Sequence, residues 1–243
     1  MTMNFKINTS SARIFALPLL LGVAMATGCA HQPPTIAHTH IGHAITAFSG
    51  APEDDGLFNV AEDRAREAQN LARDIQANPS IAEANVSARE LIDVIGTESY
   101  YGLKFSLREA VSHINYAAGA DDASANVRAS AAQFATASED VVRRCDLIML
   151  LASDFIASQN ADERQQLGAQ ISNLATLNVN GQMGSEQQIG TSELREMLDA
   201  MVAGEEPPYA TVDRWYLFHL VRLPDCDTCW AWRKWANSSN RGY

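Results

Sequence analysis

A chain of 243 residues, 47% hydrophobic and 19% charged, is long enough to bury one sizeable core. Its formal net charge of −11 repels phosphate backbones, which excludes nucleic acid as an expected partner and leaves cationic partners or divalent metals open. In an exported domain the same charge also serves solubility.

The chain opens with a basic segment carrying Lys6 and Arg13, followed by an apolar stretch over residues 14–26 that only Pro18 and Gly22 interrupt. This run is shorter than the roughly 20 apolar residues a membrane-spanning helix needs, and it suits the hydrophobic region of a secretory signal. Small residues follow, in the order Ala26-Thr27-Gly28-Cys29. That tetrapeptide resembles a bacterial lipobox. The resemblance implies cleavage before Cys29, lipid on its sulfur and amino group, and, with Ala30 next in the chain, sorting to the outer membrane with the domain facing the periplasm. The family prefers leucine where Ala26 stands, and the competing reading is ordinary cleavage after Ala26 to give a periplasmic protein without lipid. Three acyl chains would hold the protein to the membrane essentially irreversibly. Loss of residues 1–28, which hold two basic residues and no acid, takes the formal charge from −11 to −13. The expected organisation is a signal peptide over 1–28, a lipidated tether over 29–37 and one domain over 38–243.

Beyond an acidic, turn-rich stretch at 49–56, helical periodicity dominates. Ala61, Ala65, Ala68, Ala72 and Ile75 alternate at spacings of four and three, and Asn78-Pro79 ends the pattern. Ser80-x-x-Glu83 is a capping box ahead of the stripe Ala84, Ala88, Leu91, Ile92 and Ile95. Ser106-x-x-Glu109 repeats the signal before or within a helix with Leu103, Leu107, Ala110 and Ile114 inward. The longest helix is expected over residues 123–158, where Val127, Ala131, Phe134, Ser138, Val141, Cys145, Ile148, Ala152 and Phe155 form an unbroken seam suited to bundle packing. Asn160-x-x-Glu163 caps a further helix, with Leu167, Ile171 and Leu174 read as inward. A polar loop over 178–190 leads to a short helix with Leu194, Met197, Leu198 and Met201 that ends at Gly204. An aromatic section carrying Trp215, Trp230, Trp232 and Trp235 closes the chain. No strand-like alternation of useful length occurs. The predicted fold is an all-α bundle of six to eight helices.

Two groups of residues carry chemistry. Three of the six histidines, His38, His40 and His43, fall within six positions. Neutral imidazole is a common ligand for borderline metals. With Thr39 as a cap and a helix from His40, His40 and His43 share one face, His38 joins from just before the cap, and His113 supplies a fourth donor oriented by Glu109. A divalent transition metal or haem is the expected cofactor of such a site, and the competing reading is a solvated extension of the tether. The second group is Cys226-Asp227-Thr228-Cys229-Trp230. Covalent haem attachment needs histidine where Trp230 stands, and a zinc ribbon needs a second C-x-x-C. A structural disulfide between Cys226 and Cys229 is expected in an oxidising compartment, with a thiol–disulfide role as the alternative. Cys145, on the apolar seam, reads as a core thiol.

The functional expectation is a lipid-anchored, non-enzymatic binding or structural module of the envelope, with the membrane as one partner through Cys29 and an envelope protein as another. Its alternatives are a metal- or haem-binding lipoprotein and a thiol–disulfide protein.

Overall fold

The computed structural model describes residues 35–96, 101–182, 188–205, 214–216 and 221–223. Cys29, Cys226, Cys229 and the tryptophans beyond residue 223 lie outside the described residues, as do the signal and most of the tether. Among the described residues the chain forms seven α-helices: α1 (Ile36–Ile45), α2 (Leu57–Ala77), α3 (Ile81–Gly96), α4 (Leu103–Gly119), α5 (Ala125–Ala157), α6 (Ala161–Asn180) and α7 (Thr191–Ala203). The predicted all-α bundle is the fold observed. A three-residue antiparallel pair, β1 (Arg214–Tyr216) with β2 (Val221–Leu223), departs from it, and its strands are too short to leave a period-two signature in the sequence.

The long helix α5 organises the bundle. Ser124 caps it, its side chain accepting from the Val127 N–H at 3.0 Å. Each of the nine positions of the predicted seam is buried, from Val127 to Phe155. α5 packs against α3, α4, α6 and α7, while α2 closes the core from the other side against α3, α4 and α6. Phe134 of α5 meets Phe58 of α2 edge-to-face, with ring centroids 5.7 Å apart. The alanine stripe of α2 is fully buried, which lets its neighbours approach closely. Cys145 lies within this core, where burial pushes its thiol up to about 12, and Asn178 donates to its sulfur at 3.4 Å. No described helix is long and apolar enough to cross a membrane.

The sequence expectation for α6 is corrected here. The inward face of α6 is Arg164, Gly168, Ile171, Ala175 and Asn178, with Leu167 and Leu174 only half-buried at its flanks. The stripe is rotated because small and polar residues occupy the contact line. The core also takes in a charged residue of α2, Glu62. It is 7% exposed and paired with Arg195 of α7.

Glycine matters at two contacts. A side chain at Gly56 would meet the Ile45 backbone at 2.4 Å, so glycine is what allows the start of α2 to pass beneath the end of α1. Gly168 is the reverse case. A Cβ there would first touch Ile75, Gln76 and Phe155 at 3.8 Å, ordinary contact distance. Gly168→Ala should therefore stabilise the protein by about 1 kcal/mol through helix propensity alone, read as a higher urea midpoint at unchanged slope.

Candidate metal centre

α1 begins at Ile36 because its first N–H groups have partners there. The Thr35 hydroxyl accepts from the His38 N–H at 3.0 Å, and the Asp122 carboxylate accepts from Ile36 and Ala37 at 2.7 and 3.0 Å. The bond from the Ile36 N–H leads the effects that hold Asp122 below the ordinary carboxylate range. Thr39 is therefore inside the helix rather than its cap, and this changes what His38 can do. At about 100° per residue, His40 and His43 share a face, whereas His38 is turned about 200° from His40. His38 points into the bundle, 5% exposed, with its Nε2 at 3.2 Å from Glu205 Oε2. It is separated from the other histidines and is not a member of their cluster. Glu205 is itself fixed by Ser124 Oγ and Asn126 Nδ2, each donating at 2.7 Å. Asp122, Glu205 and His38 thus position α1 on the bundle.

α1 packs chiefly on α4, and that contact brings His113 to the outward face of α1. His40, His43 and His113 each present a ring nitrogen, and these three atoms lie within 4.8 Å of one another. The Nδ1 atoms of His40 and His113 are 3.1 Å apart. Ring centroids are separated by 5.9 Å for His40–His43, 5.3 Å for His40–His113 and 4.9 Å for His43–His113. Phe48 lies against His43 and His113, and Tyr116, one turn beyond His113, lies against His40 and His113. The Nδ1 of His43 is buried and has no hydrogen-bond partner among the described residues. No hydrogen bond joins Glu109 to His113 among the described residues, so the expected orienting carboxylate is replaced by this aromatic frame.

Burial, reinforced by His40, holds His43 below the usual imidazole range. Burial, reinforced by His43 and His40, pushes His113 down to about 4. Both rings are neutral at neutral pH, so each keeps a lone pair for a Lewis acid. Two imidazole nitrogens on a tetrahedral zinc ion, each about 2.0–2.1 Å from it, stand about 3.3 Å apart. The His40–His113 spacing matches that value, and closing a gap of 4.8 Å takes a combined shift of about 1.5 Å, within reach of rotamer adjustment. Three nitrogens without a carboxylate or thiolate suit Zn²⁺, Cu²⁺ or Ni²⁺ rather than Ca²⁺ or Mg²⁺. The rings touch too closely for a porphyrin to lie between any two of them.

Sequence reasoning named all three of these residues but missed their surroundings. Phe48 sits in a turn, and Asp122 marks a helix break, so neither carries a sequence signal for this site. Tyr116, at i+3 from His113, was accessible from helical spacing alone. Comparisons with protein-family models, with curated proteins and with solved structures returned no match.

Proposed function

We propose that this protein is a periplasm-facing, lipid-anchored binding module of the cell envelope that holds a divalent transition-metal ion through His40, His43 and His113. The observation that carries the reading is the buried, unpartnered Nδ1 of His43, set among two further imidazoles whose donor atoms converge. A buried ring nitrogen left without a partner costs free energy that a bound ion returns. The anchor rests on the lipobox-like Ala26-Thr27-Gly28-Cys29. Residues 30–39 separate that cysteine from His40, so the ion is held close to the membrane surface.

The test is a titration of metal-stripped, untagged protein with Zn²⁺ and Cu²⁺. The expected result is saturation at one ion per chain with a rise in thermal midpoint, as binding to the folded state alone requires. His38→Gln should keep that stoichiometry. Absence of saturable binding with an unmoved midpoint overturns the reading. The anchor has its own measurement: Cys29→Ser should move the protein from the membrane fraction to the periplasmic one.

A further inference from the structure

A second site, independent of the histidines, lies at the opposite packing of the bundle, where the α2–α3 and α5–α6 turns meet. A cavity of about 220 Å³ opens there, lined among others by Ile75, Pro79, Phe155, Gln159, Gln165 and Arg164. No aspartate or glutamate is among its lining residues, in a chain with 29 acidic residues. Arg164 is 6% exposed. Its Nη1 donates to the carbonyls of Phe155 and Ser158 at 2.6 and 3.4 Å, its Nη2 to Asn85 Oδ1 at 2.9 Å, and its plane stacks on Phe155 at 3.8 Å.

Arg64, Arg66, Arg143 and Arg195 all pair with carboxylates and are more exposed. Arg164 makes no such pair among the described residues. Burial lowers its pKa, and no neighbouring carboxylate offsets that. The carbonyl bonds make Arg164 a cap for the end of α5, which accounts for Nη1. Among the described residues they leave Nε and one hydrogen of Nη2 without an acceptor. A guanidinium presents such donors as a fork that fits a carboxylate bidentately.

We propose that this cavity binds a small aliphatic monocarboxylate, with Arg164 receiving the carboxylate and Ile75, Pro79 and Phe155 covering the short apolar body. The volume admits only a small molecule, and the side-chain amides of Gln159 and Gln165 supply further polar contacts at its wall. The inference goes beyond the metal reading and stands without it.

Butyrate, butyramide and inorganic phosphate are the probes, applied to the full folded chain by calorimetry and by ligand-observed NMR. Butyrate is expected to bind saturably with a dissociation constant on the order of a millimolar or tighter, butyramide and phosphate at least about tenfold more weakly. Arg164→Gln should abolish butyrate binding. Because that variant also removes a cap, Gly168→Leu is the companion: it keeps Arg164 and grows a side chain from the cavity wall toward Ile75 and Phe155, and it too should abolish binding. No saturable butyrate binding to the wild type overturns the proposal. Equal binding of butyramide, tighter binding of phosphate, or persistence in Gly168→Leu overturns it as well.

Discussion

His113→Gln is expected to change two measurements at once: ion binding and the acid limb of the stability curve. As one of three ligands, His113 should cost at least about 100-fold in affinity for Zn²⁺ when removed, the upper end of what loss of a merely supporting partner costs. The second effect belongs to the metal-stripped protein. Folding holds the His113 pKa at about 4 against an ordinary 6.5, so the unfolded chain takes up its proton first as the pH falls. Stability is then fully present above about pH 6.5 and is lost progressively down to about pH 4. The full difference corresponds to about 3 kcal/mol, and water reaching the half-buried ring reduces the realised loss between pH 7 and pH 5 to about 1–2 kcal/mol. His113→Gln should remove most of this slope. His43, shifted in the same direction by burial and His40, keeps a residual slope in the variant. Urea melts of both proteins at about pH 7 and pH 5 check the point, and identical slopes would show that the imidazoles are not desolvated as described.

How far the sequence carries a reader depends on what kind of residue faces the core. α5 is legible residue by residue because all nine seam positions are apolar or small and recur without interruption, and Ser124 and Asn160 are strong cap residues whose partners lie within three positions. α6 is legible as a helix but not as a face, since Arg164 and Asn178 are buried by hydrogen bonds that periodicity does not encode. The start of α1 depends on Asp122, 86 residues away in the chain, and that long-range cap decides which way His38 turns. Local spacing alone therefore places His40 and His43 on one face correctly and assigns His38 to the wrong company. Glu205, the residue that claims His38, carries no sequence signal beyond its position after Gly204.

Glu62→Gln is expected to destabilise the protein by about 2–3 kcal/mol, although it changes one atom of a residue that periodicity reads as surface. Glu62 Oε2 receives Arg195 through Nη2 at 2.5 Å and Nε at 3.2 Å, and the same Nη2 reaches Asn59 Oδ1 at 2.5 Å. Asn59 in turn donates to the Ile45 carbonyl at 3.1 Å and to Asp55 at 2.6 Å. One charged pair thus ties α7 to α2 and, through Asn59, to the end of the helix that carries His40 and His43. Removing the carboxylate charge leaves a half-buried guanidinium over Phe58 without its ion-pair partner among the described residues. Breaking a fully buried pair in this way costs about 3–5 kcal/mol, and the 22% exposure of the Arg195 side chain lowers the figure here. Arg195→Met should cost at least as much: the thioether can remain packed on Phe58, where the guanidinium now lies 4.8 Å from the ring centroid, but the Glu62 carboxylate, with its side chain 9% exposed, keeps only Arg66 at 3.8 Å among the described residues. The double variant Glu62→Leu/Arg195→Met should be closer to wild type than Glu62→Gln alone, since it leaves no unpaired charge behind. Urea midpoints of the four proteins rank these costs, and a cost below about 0.5 kcal/mol for Glu62→Gln would place it among ordinary surface changes. Zn²⁺ affinity in Glu62→Gln should stay within a few-fold of wild type while the fold persists, because Asp122 and Glu205 hold α1 from its other end.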